Sequence, residues 1–326
     1  MILLNKDEIK SVFSMKDAIE ADKECYRAFS EGKFDVPQRA VINGSCGNFL
    51  FMPAYSEEMK AAGLKIVNIM PGNPAKGLPA SIGQVLLIDG ETGEVKAMMD
   101  GTYITALRTA AASGAAFDLF GSHDASIGAM IGTGSQAMAQ LEAMLSVRSL
   151  REVRVAARNI EKTVDFCERA CAELGHFGTE IIAMDDTNAA VDGADLVTLV
   201  TVSAAPVCDA EFFKPGSVIS AVGAYTYDMQ ELDPKVFDRC GKIYFDSVEA
   251  VLSESGDILR PLDEGTLSRD QFTGDIGDYI LGRIPGRESD DEIIVFENVG
   301  IGALDLYTAS KVYDRALASG TGLKWE

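Results

Sequence analysis

Histidine is nearly absent from this chain of 326 residues, which has only His123 and His176. Each stands in a short polar stretch next to glycine, Gly-Ser-His-Asp for His123 and Gly-His-Phe-Gly for His176. We expect both to lie in loops. This scarcity argues against a Ser-His-Asp hydrolase and against a hydroxy-acid dehydrogenase that relies on a histidine base.

Positive charge is also in short supply, with 29 Lys and Arg against 50 Asp and Glu and a net charge of −21. Nucleic acids and anionic membrane surfaces are bound by basic patches, so we expect neither as a partner. No apolar run is long enough to span a bilayer, and the opening Met-Ile-Leu-Leu is too short for a signal peptide. A cytoplasmic protein is expected.

The cysteines are few and scattered, six in all. This usage favours reduced thiols over a disulfide framework. Cys167 and Cys171 are spaced to share a helix face, but no histidine, cysteine or carboxylate set completes a metal site nearby. We therefore predict no metal.

A glycine turn between an apolar strand, 125–131, and an apolar-striped helix, 139–145, is the most informative motif. In a dinucleotide site the first glycine of such a turn makes the bend, the second lets the backbone approach the pyrophosphate, and the third position must be small. An ordinary tight turn is the alternative explanation. The pattern predicts a cofactor site at Gly132, Thr133, Gly134, Ser135, Gln136 and Ala137.

Strand and helix patterns alternate after this turn, beginning with a strand at Glu152–Ala156 and a helix at Ile160–Leu174. This alternation predicts an α/β domain with a doubly wound parallel sheet. Further short apolar runs occupy 179–183, 194–200, 217–222 and 242–245. Ligands of such sheets bind beyond the carboxyl ends of the strands, where we expect Thr201, Ser203 and Gly223.

The end of the second strand indicates which cofactor is used. An acid there would bind the ribose 2′-hydroxyl of NAD, but the sequence is Val-Ala-Ala-Arg158-Asn159. The guanidinium of Arg158 suits the 2′-phosphate of NADP, so NADP(H) is favoured and NAD(H) stays possible. A strand-end arginine that faces solvent is the alternative explanation.

Three basic residues in the first third of the chain, Arg39, Lys65 and Arg108, stand out. Lys65 is embedded in an apolar strand pattern and Arg108 in an alanine-rich helix pattern. A buried cation needs an anionic partner. For each alone, an ion-paired or snorkelling side chain is the alternative, but together they favour a site that binds a carboxylate.

These features occur in an order that resembles the ornithine cyclodeaminase/μ-crystallin family. The resemblance spans nearly the whole chain. The motifs that carry it are Leu50-Phe-Met52-Pro53-Ala-Tyr55, Gly63-Leu-Lys65, Thr105-Ala-Leu-Arg108-Thr-Ala-Ala and Gly132-Thr-Gly-Ser-Gln-Ala137.

The resemblance implies a two-domain subunit and a homodimer. An α+β substrate-binding and dimerisation domain would comprise residues 1–115, rejoined by 304–326. A Rossmann-type dinucleotide-binding domain would comprise 116–303. Residues 85–95 fit the first domain, since Asp89-Gly90 is a turn signal between two apolar runs of a hairpin.

Site roles also follow from the resemblance. Arg39, Lys65 and Arg108 would hold the α-carboxylate of a small amino or imino acid, and Met52 would contact the same substrate. Lys65 would also relay a proton, because a lysine near two arginines in an apolar pocket has its charged form disfavoured. Asn298 would approach the nicotinamide ring, with an ordinary helix cap as the alternative.

Two departures from the cyclodeaminase pattern bear on the substrate. Tyr225 occupies the place of a catalytic aspartate, and Leu50 occupies the place of an acid found in ornithine-processing members. Both changes make the site less suited to a diamine. We give Tyr225 a catalytic place, either hydrogen-bonded to an imine nitrogen or forming a wall of the pocket.

The expected function is therefore an NAD(P)H-dependent reductase of small 2-imino acids, such as pyrroline-2-carboxylate or piperideine-2-carboxylate. Hydride delivery to the C=N carbon would yield L-proline or L-pipecolate. The alternatives are an ornithine or lysine cyclodeaminase with NAD, a reductive amination of the alanine dehydrogenase or opine type, and a non-catalytic NADPH-dependent binding protein.

Overall fold

The computed structural model describes residues 1–325. The strands are β1 (Ile2–Leu4), β2 (Ala40–Asn43), β3 (Asn48–Ser56), β4 (Ala61–Ile69), β5 (Ser81–Asp89), β6 (Val95–Asp100), β7 (Ile127–Ile131), β8 (Glu152–Ala156), β9 (Glu180–Met184), β10 (Leu196–Leu199), β11 (Val218–Ala221), β12 (Cys240–Phe245), β13 (Gly274–Asp275), β14 (Ile293–Glu297) and β15 (Leu323–Lys324). The α-helices are α1 (Lys6–Val12), α2 (Met15–Ser30), α3 (Gly101–Phe120), α4 (Ala137–Val147), α5 (Ile160–Leu174), α6 (Thr187–Val191), α7 (Val248–Glu254), α8 (Gly256–Glu264), α9 (Ile276–Ile280) and α10 (Gly302–Ser319). Short 3-10 helices occupy Pro74–Lys76, Gly175–Phe177, Ala210–Phe212, Pro234–Asp238 and Arg269–Gln271.

The chain forms two compact units. Unit 1 contains Met1–Arg108 and the segment that starts at Ile301, and unit 2 contains Thr109–Gly300. The expected domain limits, after residue 115 and before residue 304, lie a few residues beyond these divisions.

Unit 1 is built on a mixed sheet with the order β15-β1-β6-β5-β4-β3-β2. The pairs from β2 to β6 are antiparallel, including the predicted hairpin of β5 and β6, and β1 runs parallel to β6. Helices α2 and α10 pack together, and α10 also packs on β3, β4 and β5. Helix α2 begins with a capping box in which Ser14 and Asp17 satisfy each other's backbone N–H groups.

Strand β4 shows how the sheet of unit 1 is covered. Its residues alternate between buried and half-buried positions, as the two-residue period of a strand requires. Gly63 is on the buried face, where an added Cβ would come 3.1 Å from Cδ1 of Leu306 in α10. The absence of a side chain at Gly63 therefore allows the helix to approach the strand closely.

Unit 2 confirms the predicted parallel sheet. Its order is β13-β12-β14-β11-β10-β7-β8-β9, and its strand pairs are parallel. Strand β10 and strand β11 are buried along their whole length, as expected for a sheet that helices cover on both faces. The chain leaves β7 in one direction to β8 and β9 and returns to β10 on the other side, so the topological switch point lies between β7 and β10.

Within residues 1–325, no helix combines the length and the apolar character that crossing a membrane requires.

Candidate functional site

The glycine turn predicted as the phosphate site directly follows β7. We call residues 132–136 the phosphate turn. Gly132 has a φ of +121°, and an added Cβ would lie 2.5 Å from the carbonyl oxygen of Val200. Only glycine fits this position without strain. Helix α4 begins at Ala137, and its N-cap residue Gln136 makes no side-chain capping hydrogen bond, so its first N–H groups are not capped by that side chain.

A cavity of about 920 Å³, here called the cofactor cavity, opens at the carboxyl ends of β7, β8, β9 and β10. This is the edge and the switch point at which sheets of this kind bind dinucleotides. The volume and the glycine-lined backbone fit such a cofactor. Six of the predicted cofactor residues line it, namely Gly132, Thr133, Gly134, Arg158, Thr201 and Ser203.

The remaining predicted cofactor residues lie elsewhere in unit 2. Ser135 and Gln136 complete the phosphate turn, and Ala137 is buried at the start of α4. Gly223 follows β11. Asn298 follows β14 and is 2% exposed, and neither polar atom of its side-chain amide has a hydrogen-bond partner among the described residues.

Two cations stand at the β8 end of the cofactor cavity, Arg158 and Lys162. Asn159 caps helix α5 by accepting the N–H of Lys162 at 2.9 Å, which places the lysine in the first helical turn. Sequence reasoning missed Lys162. The available signal was a cation in a first turn, where the helix dipole favours an acid.

Two acids, Asp185 and Asp186, lie at the β9 end of the same cavity. The carboxylate of Asp186 accepts the N–H groups of Asn188 and Ala189 and so caps α6. The carboxylate of Asp186 thus already serves as the N-cap of a helix.

In unit 1, two of the predicted cations, Lys65 and Arg108, form ion pairs with the same acid, Asp305. Nζ of Lys65 lies 2.6 Å from Oδ2 of Asp305, and Nε of Arg108 lies 3.0 Å from Oδ1 of the same carboxylate. The side chains are nearly inaccessible, at 1% exposed for Lys65 and 3% for Asp305. The three residues come from β4, α3 and α10.

The local fold explains why Lys65 is buried. It occupies an inward position of β4, in register with Met52 on β3 and Val85 on β5. Residues that are paired in this way project to the same face of a sheet. Met52, predicted to contact substrate, is therefore beside Lys65 and is itself 6% exposed.

The surroundings lower the pKa of both Lys65 and Asp305, for different reasons. Burial lowers the pKa of Lys65 to about 7, and the Arg108 and Arg39 charges act in the same direction while Asp305 opposes them. Burial disfavours the charged form of Asp305, but Arg108 and Lys65 outweigh it and keep the pKa of that carboxyl below its usual value. Lys65 can therefore hold or release a proton near neutral pH.

A second buried acid, Asp22 of α2, accompanies them. Its side chain is fully buried, and neither carboxyl oxygen has a hydrogen-bond partner within residues 1–325. Burial raises the pKa of Asp22 well above its usual value, with the nearby Arg108 charge opposing and the Asp305 charge assisting. Burial therefore favours the neutral form of Asp22.

We call Lys65, Arg108, Asp305 and Asp22 the charged cluster. Lys65 and Arg108 share the one carboxylate of Asp305, and burial opposes a second negative charge on Asp22, so the environment of the cluster favours an excess of positive charge. Arg39, half-buried just before β2, adds a further positive charge that Lys65 senses. Such an excess suits an anionic ligand.

Sequence reasoning missed both acids of the charged cluster. Asp22 falls on the apolar face of α2, at helical spacing with Met15, Ala18 and Ile19. An acid in that face was the available signal, and so was an acid flanked by Leu304 and Leu306 in the closing helix.

Tyr225 belongs to unit 2, in the loop after β11. It is half-buried, and burial raises the pKa of its phenol above the usual value. It does not line the cofactor cavity.

Comparisons with known proteins place these observations in context. A family model described as the ornithine cyclodeaminase/mu-crystallin family matches residues 1–320. The Delta(1)-pyrroline-2-carboxylate reductase of Bacillus cereus is 33% identical to this chain over 328 residues, and the alignment covers 100% of both proteins.

Two solved structures are similar along the whole chain. One is the Thermococcus litoralis Delta(1)-pyrroline-2-carboxylate reductase in complex with NADH and L-proline, with a TM-score of 0.94 and 34% identity, covering 100% of both chains. The other is an archaeal alanine dehydrogenase dimer with bound NAD, with a TM-score of 0.91 and 33% identity, covering 100% of this chain and 99% of that one.

Proposed function

Because this chain belongs to the ornithine cyclodeaminase/mu-crystallin family, we propose that it is a nicotinamide-dependent reductase of small 2-imino acids. A cyclic imine carboxylate such as pyrroline-2-carboxylate is the proposed substrate. The Bacillus cereus relative and the Thermococcus litoralis structure carry the name of that activity, and both are similar to this chain over its full length.

The charged cluster is the observation that carries the proposal. It combines a carboxylate-binding charge with a lysine whose pKa is about 7. We assign the substrate carboxylate to Arg39, Lys65 and Arg108, and the apolar part of the substrate to Met52. Asp305 holds Lys65 and Arg108 in place through its ion pairs with both side chains.

The chemistry requires one proton and one hydride. The residues of the cofactor cavity would hold a reduced nicotinamide, which when bound would supply the hydride for the C=N carbon. Lys65, protonated below about pH 7, supplies the proton that the imine nitrogen needs. Protonation of the imine nitrogen makes the C=N carbon electrophilic. The product is the corresponding amino acid with a saturated C–N bond.

The alternative reactions differ in the substrate that the pocket must accept. Tyr225 and Leu50 occupy positions at which the cyclodeaminase pattern has acids. Leu50 packs with Met52 and Val67 in a small apolar cluster. This apolar environment favours an imino acid without a second amine. The alanine dehydrogenase similarity favours pyruvate with ammonia as the second candidate reaction.

The role of Lys65 is tested by Lys65→Ala with Lys76→Ala, an exposed lysine of unit 1, as the control. We expect Lys65→Ala to slow imine reduction by at least about a hundredfold, the usual contribution of a positioned proton donor. NADPH binding, measured by fluorescence, should stay unchanged. Imine reduction at the parent rate would refute the proton-relay role.

For the cofactor we propose that NADPH is preferred over NADH. Arg158 and Lys162 support this preference because both line the cavity and can pair with a 2′-phosphate. The relatives with bound NADH and NAD mark NADH as the competing cofactor.

Arg158→Asp tests the preference, with Arg151→Asp at the opposite end of β8 as the control. The change should weaken NADPH binding by at least about tenfold, the scale of one charge-assisted hydrogen bond, and should affect NADH much less. An equal effect on both dissociation constants would show that Arg158 does not read the 2′-position.

We propose further that the protein works as a homodimer in the cytoplasm. Strand β2 supports a dimer because it ends the sheet and exposes Val41 and Ile42, at 47% and 58%. The described cysteines are free, as is typical of a reducing compartment.

A further inference from the structure

A fully buried glutamate, Glu231, joins the ends of two central strands of unit 2. One carboxylate oxygen accepts the N–H of Thr201, just beyond β10, and the other accepts the N–H of Gly223, just beyond β11. Both bonds lie at the carboxyl edge of the sheet, where the cofactor cavity opens. A carboxyl group that accepts one backbone N–H with each oxygen links the two strand ends.

The backbone around Glu231 holds the same loop at two further points. The N–H of Gln230 donates to the carbonyl of Ser203 at 2.8 Å, and the N–H of Val207 donates to the carbonyl of Glu231 at 2.9 Å. Residues 200–203 and 206–207 line the cofactor cavity. One wall of that cavity is therefore fixed to the Gln230–Glu231 segment.

This wall also abuts the phosphate turn. The Cβ position of Gly132 is 2.5 Å from the carbonyl oxygen of Val200 and 3.2 Å from Cγ2 of Thr201. Only the absence of a side chain at Gly132 leaves room for Val200 and Thr201 here, so the cavity wall lies close against the phosphate turn.

Glu231 is itself held from behind by Asp257. Oδ1 of Asp257 accepts the N–H groups of Glu231 and Leu232 at 2.7 and 2.8 Å. Asp257 is fully buried at the start of α8. The chain of contacts thus runs from α8 through Glu231 to the cavity wall.

We propose that Glu231 is a positioning residue for the dinucleotide, one that sets the cavity wall at Thr201 against the phosphate turn. The inference rests on the cofactor binding proposed above and concerns only the chain's own residues in unit 2. Glutamine cannot replace Glu231, because its amide NH₂ would face one of the two backbone N–H donors.

Asp195 provides a matched control on the opposite edge of the same sheet. Its Oδ2 accepts the N–H groups of Ser126 and Ile127 at 2.8 and 2.9 Å, at the start of β7. It also pairs with Lys214. Asp195→Asn therefore removes the same kind of carboxylate from two neighbouring strands, but away from the cavity.

The experiment compares Glu231→Gln and Asp195→Asn in the full-length protein. Dissociation constants for NADPH and NADH are measured by fluorescence, and KM for the imine is measured at saturating cofactor. We expect Glu231→Gln to weaken binding of both nucleotides by at least about tenfold, as for a buried N–H donor left without its acceptor, with KM for the imine unchanged. Asp195→Asn should bind both nucleotides as the parent does, even if both variants lose thermal stability.

If Glu231→Gln does not fold, Glu231→Asp replaces it. This variant keeps the carboxyl group but is one methylene too short to reach both strand ends, so the same weakening is expected. Parent-like nucleotide binding by the folded Glu231 variant, or equal weakening by Asp195→Asn, would overturn the inference. A parent protein that bound neither nucleotide would instead refute the proposed function.

Discussion

At the residue scale, the charged cluster sets the chemistry of unit 1. Two cations share the carboxylate of Asp305, while burial disfavours the charged form of Asp22. The charge of Asp305 offsets only part of the free-energy cost of burying the Lys65 ammonium, so the pKa of Lys65 falls to about 7. A bound substrate carboxylate would restore the missing negative charge and favour the protonated lysine.

This arrangement predicts the pH dependence of imine reduction. Lys65 is protonated below about pH 7, so the rate at subsaturating imine should fall up to about tenfold per pH unit above that value. Asp305 raises the pKa of Lys65, so Asp305→Asn should move the falling limb to lower pH. Rate profiles of the parent and the variant measure the shift. A limb that stays in place would assign the titration to the imine rather than to Lys65.

Single residues show where sequence reasoning succeeded and where it could not. Lys65 and Arg108 stood out because a cation breaks an apolar strand or helix pattern. Asp305 could not be linked to them, since almost 200 positions separate it from Arg108 in the chain and only the packing of α10 on β4 brings the residues together.

At the element scale, the strand-turn-helix unit of β7 and α4 was the clearest prediction from the sequence. The predicted helix Ile160–Leu174 and the predicted strand Glu152–Ala156 match α5 and β8, because their apolar periods are complete and their ends carry caps or turns. Other strands begin or end one or two residues from the predicted limits. Strand ends depend on pairing with neighbours that the local sequence does not specify.

The phosphate turn allows a test with two glycines of one loop. Gly132→Ala should lower the free energy of unfolding by about 1–3 kcal/mol and weaken nucleotide binding, because the residue has positive φ and its Cβ would meet Val200. Gly134 has no atom within 4 Å of its Cβ position, so Gly134→Ala should change stability by less than about 0.5 kcal/mol. Urea unfolding of the nucleotide-free proteins gives both values. Equal stability losses would contradict the account.

At the scale of the whole molecule, fold class and family were accessible from sequence because ordered motifs run along nearly the entire chain, and the family model spans residues 1–320. The strand order of unit 1 was not accessible. It joins β1 and β15 from the two ends of the chain, and no local pattern signals that pairing.

The proposed dimer is tested at the exposed strand β2. Ile42→Lys should convert a dimer into a monomer in analytical ultracentrifugation, because a lysine on an edge strand opposes strand and sheet association. Val164→Lys, which changes an exposed apolar residue of α5 that is 41% accessible, is the control and should leave the mass unchanged. A parent protein that sediments as a monomer would refute the dimer itself.

We expect the chain to reduce a small cyclic imine carboxylate with a nicotinamide cofactor. The most direct measurement is the oxidation of NADPH and of NADH by the purified protein with pyrroline-2-carboxylate, piperideine-2-carboxylate, or pyruvate and ammonia, while ornithine is assayed separately for ammonia release. We predict oxidation with a cyclic imine, faster at low cofactor concentration with NADPH. Absence of oxidation with both imines, together with ammonia release from ornithine, would contradict the account.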